Sequence, residues 1–376
     1  MFVYVGNSDF VGGATGGAPE DAVSVFDFNT ETGALAHVQT LEGLRTPSYM
    51  TRNPKVPVLY VAERWVNADK STPTPEQMRG DGVATLAIDP VTGKISLASR
   101  HTTGGQSPMH VNVNSSGSYL FAANPGRPKD PDPKEGHATA IRLGSDGLPT
   151  GIAGSVHFDG VQPVWRERPK TYPHSVFGDP DWKRLFVPQL MSDLVLIYDI
   201  DPNGKLTTAK QPFVQISSGA GPRHIAFHPS ARFFYVVNSF DATLSVFSYD
   251  SVSGLAGIVQ TVNVHPEGFT GKKNISHALV GPTGAFLYCS HRTNNSLAVY
   301  AINQETGELT LASRHDSNGA RPRDFAFSPS GKLLVVANQK ANEIASFHVN
   351  AETGALQPTG HRIETFSPNC VVFGPN

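Results

Sequence analysis

The chain has 376 residues and only two cysteines, Cys289 and Cys370. Two cysteines cannot form a disulfide framework and lack the paired spacing of a zinc site, so a reducing, cytoplasmic setting is expected. Charge of one sign is also missing: 30 Lys and Arg stand against 32 Asp and Glu, a net charge of −2. This balance offers no electrostatic footing for nucleic acid or an acidic membrane surface. No apolar run reaches the roughly 18–20 residues of a membrane span. The chain opens on a strand pattern, Phe2-Val3-Tyr4-Val5-Gly6-Asn7, rather than on a basic and then apolar leader. Catalytic signatures carried by one local motif are missing too. There is no Gly-x-Ser-x-Gly elbow, no Gly-x-x-x-x-Gly-Lys phosphate loop and no His-Glu-x-x-His. Nothing calls for a metal or a cofactor. Gly12, Gly13, Gly16 and Gly17 are followed by no helix pattern and read as a flexible connection.

What the chain does have is turn chemistry, with 36 Gly and 29 Pro spread evenly, and an internal repeat. Seven short segments are related: Thr46-Pro47-Ser48-Tyr49, Ser107-Pro108-Met109-His110, Tyr172-Pro173-His174-Ser175, Gly221-Pro222-Arg223-His224, Ile275-Ser276-His277, Arg321-Pro322-Arg323-Asp324 and Ser367-Pro368-Asn369-Cys370. Self-similarity at such a period marks a repeat architecture. In the copy beginning at Gly221, a short strand (Arg223 to Phe227) leads through His228-Pro229-Ser230-Ala231 into Phe233-Phe234-Tyr235-Val236-Val237. A third strand, Leu244 to Tyr249, turns at Ser251-Val252-Ser253-Gly254 into a fourth ending near Val264. Four antiparallel strands repeated seven times predict an all-β, seven-bladed β-propeller, taken as one domain over residues 1–376. The first blade lacks a first strand and the C-terminus ends on a lone one, Pro368 to Phe373. That strand is expected to complete blade one and close the ring. Two long insertions, 63–82 and 124–137, fall between second and third strands.

First-strand starts and second-strand ends share one rim in this topology. The starts bring Tyr49, His110, His174, Arg223, His224, His277, Arg323 and Asp324; the ends bring Glu63, Asn124, Gln189, Asn238, Ser239, His291, Arg292, Asn338 and Gln339. A single His or Arg at such a position commonly bonds the backbone of a neighbouring blade. Several converging on one axis suit an anionic substrate and acid–base chemistry, with Arg gripping phosphate or carboxylate in two-point fashion. Strand parity does not decide which member of a pair such as Arg223 and His224 faces the channel.

These repeats resemble the seven-bladed β-propeller lactonase family, which includes bacterial 6-phosphogluconolactonase and the fungal carboxy-muconate lactonising enzyme. The resemblance runs end to end and is carried by Gly221-Pro222-Arg223-His224, Pro266-Glu267-Gly268-Phe269-Thr270-Gly271, Pro173-His174-Ser175-Val176 and Arg321-Pro322-Arg323-Asp324-Phe325. It implies a hydrolase that opens an anionic sugar lactone to the acid, a step of pentose phosphate carbohydrate metabolism, with His174, Arg223 and Arg292 as catalytic residues. Glu63, His110, His224, Ser239, His277, Arg323 and Gln339 are the expected substrate-binding residues. The family's Glu after the second strand of blade five is replaced here, Asn238 being followed by Ser239. A second family acid is replaced by His277, and Tyr172 stands where a His precedes His174 by two. His174 is the expected general base for water, with His224 or His277 as alternatives. Two rival readings are a cycloisomerase or lyase on a small carboxylated metabolite and a non-catalytic propeller that binds a partner at the rim.

Overall fold

The computed structural model describes residues 1–8, 21–64, 81–125, 136–158 and 171–374. The loop with Gly12, Gly13, Gly16 and Gly17 and most of the insertions 63–82 and 124–137 lie outside them. Seven four-stranded antiparallel sheets make up the described structure. Blade five, for example, consists of Pro222–Phe227, Phe233–Asn238, Thr243–Asp250 and Leu255–Asn263 in sequential order. The strand Pro368–Phe373 pairs antiparallel with Phe2–Asn7, with Val3 opposite Phe373 and Tyr4 opposite Val372, so blade one is completed from both chain ends as expected.

The core is seven separate layers, one between each pair of adjacent blades. Strand periodicity produces this directly, because alternate side chains leave a strand on opposite faces. Val3 and Val5 pack against Leu333, Val335 and Ala337 of blade seven, while Tyr4 between them packs against Leu59 and Val61 of blade two. The second and third strands bury both faces and therefore read as nearly continuous apolar runs. The fourth strands border solvent and mix exposed with half-buried residues, as in Leu35–Leu41.

The blades are also clipped to one another. The residue just before the third strand is Asp21, Asp81, Gly136, Asp193, Ala242, Asn295 and Asn342 in blades one to seven. Where it is Asp or Asn, its side-chain oxygen accepts the amide that precedes the motif proline of the next blade. Thr46, Ser107, Gly221, Arg321 and Ser367 donate at 3.1, 2.8, 2.8, 2.9 and 2.9 Å. All five donors have positive φ, from 34° to 71°, a conformation unfavourable to residues other than glycine and maintained here by the side-chain acceptor, which is buried where it is Asp21, Asp81 or Asp193. The two junctions without a clip are irregular. After Gly136 the inner strand of blade four shrinks to Phe177–Gly178, and after Ala242 the motif proline is replaced by Ile275.

Four inner strands carry a one-residue bulge. Pro222 lies opposite Asn238 and His224 opposite Val237, so Arg223 is the extra residue. Arg323 and Asn369 are extra in the same way in blades seven and one, and blade six shifts between Ile275 and Ala278. Blades two and three have none.

Asp193 is fully buried and accepts the amides of both Gly219 (2.6 Å) and Gly221 (2.8 Å). Asp193→Ala strands those donors and should lower unfolding stability by about 2–3 kcal/mol. Asp193→Asn keeps one acceptor and tolerance for positive φ, and should lose clearly less, both read by urea denaturation.

Candidate active site at the channel mouth

The inner strands converge on a pocket lined by Ser48, Tyr49, Met109, His174, Arg223, His224, Arg323, Asp324 and Asn369. The bulges settle what strand alternation left open, because both Arg223 and His224, and both Arg323 and Asp324, face the pocket. An extra residue lets two consecutive side chains leave the same face. Beneath the pocket Tyr49 stacks on His110 (centroids 4.0 Å apart), and His110 touches Phe177 (4.8 Å). This aromatic layer separates the pocket from a second depression, lined by Arg52, Asn112 and Phe327 among others, at the far end of the channel.

His224 is the hub of the layer, its ring 5.2–5.7 Å from those of Tyr49, His110, His174, Phe177 and His277. Its Nδ1 lies 3.0 Å from His277 Nδ1, and His277 Nε2 lies 3.4 Å from Asp324 Oδ1. The other Asp324 oxygen accepts the Val371 amide at 2.9 Å. Arg223 donates to the Ser276 carbonyl of blade six, so it also serves the inter-blade backbone. Arg323 Nη1 donates to Gln339 Oε1 at 3.4 Å, and Gln339 Nε2 donates to the Ser8 carbonyl at 3.5 Å. Arg292 donates from Nη1 to Asn274 Oδ1 at 3.4 Å, and its buried Nε has no partner among the described residues.

The expected site residues divide accordingly. His174, Arg223, His224, His277 and Arg323 come together, with Arg292 and Gln339 beside them and His110 in the floor. Glu63 is committed elsewhere: its carboxylate is gripped by Arg100 (2.7 and 3.2 Å) and accepts the Arg45 amide at 3.0 Å. Ser239 donates to the Ile275 carbonyl at 3.0 Å, a backbone bond at the unclipped junction between blades five and six. Tyr49 was expected at the rim; Ser48, Met109 and Asn369 were not, although each directly follows a motif proline. That fixed offset is the signal that could have found them.

Electrostatically the pocket is dominated by positive charge. Arg223, Arg292 and Arg323 are 5%, 9% and 6% exposed. Burial lowers the Arg223 pKa to about 10, partly offset by Asp324. Burial and mutual repulsion push Arg292 and Arg323 well below the usual guanidinium range. His174 is held well below 6.5 by burial and then by Arg223, Arg323 and Arg292. His110 and His224 are likewise depressed well below 6.5, and His277 is lowered despite the opposing pull of Asp324. These histidines are neutral at pH 7 and able to accept a proton.

The same shifts set an acid limit on the fold. A histidine whose folded pKa lies below 6.5 leaves stability intact above that value. As pH falls, the unfolded chain takes up the proton first, and stability drops by about 1.4 kcal/mol per pH unit per histidine until the folded pKa is reached. Unfolding free energy measured by urea should therefore be level from pH 7 to 8 and fall steeply between pH 6.5 and 5. His174→Gln together with His110→Gln should flatten that fall.

Comparison with known proteins agrees with this architecture. The chain is 29% identical over 330 residues to a 6-phosphogluconolactonase of Bacillus subtilis, covering 88% of this chain and 86% of that protein. A 6-phosphogluconolactonase of Serratia proteamaculans is 29% identical over 297 residues, 79% of this chain and 78% of its own. Among solved structures, the periplasmic gluconolactonase PpgL of Pseudomonas aeruginosa superposes with a TM-score of 0.86 at 26% identity, covering 100% of this chain and 99% of that one. The family model described as lactonase, 7-bladed beta-propeller, matches residues 9–373, and the chain belongs to that family.

Proposed function

We propose that the protein is a lactone hydrolase of the 6-phosphogluconolactonase type, opening an anionic sugar lactone to its acid. The observation that carries this reading is the charge imbalance of the pocket. Arg223 and Arg323 line the pocket, Arg292 lies close enough to act on the same His174, and Asp324 is the one carboxyl group lining the pocket among the described residues. Positive charge concentrated in a buried pocket favours an anionic ligand over a neutral one. Phosphate or carboxylate fits guanidinium groups in two-point contact. The names of the relatives point to the same chemistry, and the two buried, unlinked cysteines suit the cytoplasm.

In the reaction so assigned, Arg223, Arg292 and Arg323 hold the substrate's anionic group and polarise the lactone carbonyl. As water adds, negative charge grows on that oxygen, and fixed guanidinium donors favour it more than the ground state. A neutral histidine removes the proton from water, with His174, His224 and His277 the candidates. The C–O bond of the ring then breaks, and the ring oxygen leaves as the new hydroxyl after taking a proton.

The test is turnover of a panel of phosphorylated and unphosphorylated sugar lactones at mildly acidic pH, with the Arg223→Ala, His174→Ala double variant as blank. Hydrolysis above the blank is expected, strongest for anionic lactones. Arg223→Ala alone should reduce kcat/KM by at least about tenfold. A panel that gives no turnover above the blank excludes the lactonase reading and favours a cycloisomerase or a binding function.

A further inference from the structure

The lactonase reading leaves three histidines as candidate bases, and the geometry distinguishes them. This inference rests on that reading. His174 has three guanidinium groups as neighbours and no carboxylate among the groups acting on it. Taking up a proton there would add a fourth positive charge to the cluster, at the place where the substrate's anion must also be held. His224 has a different connection. Its Nδ1 meets His277 Nδ1 at 3.0 Å, and His277 Nε2 faces Asp324 Oδ1 at 3.4 Å.

The contacts at the two ends of His277 assign the tautomers: Nε2 faces a carboxylate oxygen at 3.4 Å and Nδ1 meets His224 Nδ1 at 3.0 Å. A carboxylate only accepts, so the His277 proton belongs on Nε2. A neutral His277 then has a lone pair on Nδ1, and the proton between the two rings belongs to His224 Nδ1. That leaves the lone pair of His224 on Nε2. Asp324 is itself held in place, because its second oxygen accepts the Val371 amide at 2.9 Å. His277 is wedged against Phe325, with ring centroids 5.1 Å apart, and its amide donates to Ser290 Oγ at 3.2 Å.

We propose that His224 is the acid–base catalyst of lactone opening, and that His277 and Asp324 position it as a relay running from the pocket to a fixed carboxylate. His224 Nε2 takes the proton of the attacking water while the water oxygen bonds to the carbonyl carbon. The positive charge is shared through the Nδ1–H···Nδ1 bond with His277, directly against Asp324. When the ring C–O bond breaks, the same Nε2 proton passes to the departing ring oxygen and the relay returns to neutrality. The product carboxylic acid gives its own proton to solvent. His174 remains neutral beside the arginines and orients substrate.

The position also accounts for two departures from the family pattern. This chain has Ser239 where the family places a Glu, and Ser239 is occupied with a backbone carbonyl. It has His277 where the family places a second acid. The carboxylate that serves the proton transfer then comes from Asp324 of the next blade, one imidazole further away.

The charged and titratable groups facing the His224–His277 pair are Arg223, His110, His174, Tyr49 and Asp324. Of these only Asp324 favours the protonated pair. Replacing it with Asn therefore lowers the pKa of the pair, and the acid limb of the kcat/KM profile should move to lower pH, by about one unit.

The closing experiment compares wild type, His224→Gln, His174→Gln and Asp324→Asn on the lactone that wild type hydrolyses best, with imidazole nitrogen NMR on each purified protein. His224→Gln should lose about 100-fold or more in kcat with little change in KM, and His174→Gln should mainly raise KM. The NMR spectrum of wild type should show His224 protonated at Nδ1 and His277 at Nε2, and Asp324→Asn should disturb that assignment along with the acid limb. A His224→Gln enzyme within threefold of wild-type kcat overturns the relay and leaves the lactonase reading standing. The opposite tautomers in a folded wild type overturn it as well, whatever the variants do. Wild type that turns over no lactone overturns the lactonase reading, and this inference falls with it.

Discussion

The fold depends on how each blade is tied to the next at the channel mouth. A propeller has no continuous core, and its seven inter-blade layers fix the spacing between sheets but allow sliding along the strands. The Asp or Asn before a third strand removes that freedom by capturing the amide that leads into the neighbouring inner strand. The captured residue is held at positive φ, so the chain turns sharply just before the motif proline. One or two residues later come the side chains that line the pocket. Pocket geometry is thus set by the same contacts that hold the ring together.

This coupling explains why architecture was more legible in the sequence than the site. The recurrence of proline-led strand starts, the apolar second strands and the unpaired terminal strand each have a local signature, and together they determine the blade count and the closure. Side-chain direction at the inner strands has no such signature, because alternation fails wherever a residue is inserted. Arg223 and His224 both entering the pocket follows from a bulge visible only in the pairing with Val237 and Asn238. Glu63 shows the complementary limit. Its place at a rim position was readable, but its capture by Arg100, 37 residues away, depends on the completed blade.

The site conflicts with stability in a way that bears on its purpose. Buried guanidinium groups that repel each other cost folding free energy, as do histidines that must stay neutral in the interior. A scaffold selected only for rigidity would place apolar side chains at the channel, as blades two and three do in part with Tyr49 and Met109. The ring tolerates the charge because seven hydrophobic layers and five clips lie outside it. On the proposed function, an anionic substrate relieves that repulsion by entering, its negative charge matched to the arginines before any chemistry begins.

The bulges have one more consequence. Blades five, six, seven and one, which carry one, are contiguous around the axis, and in blades five and seven the extra residue brings two consecutive side chains to the pocket, Arg223 with His224 and Arg323 with Asp324. The backbone repeats sevenfold, whereas the channel wall does not: one side holds the guanidinium and carboxyl groups of Arg223, Arg323 and Asp324, and the facing side offers Tyr49, Met109 and the neutral imidazoles of His110 and His174. The channel therefore has a polarity across its width as well as along its length. A flat, asymmetric molecule entering it has one favoured roll angle about the axis, which selects the face of its ring presented to water.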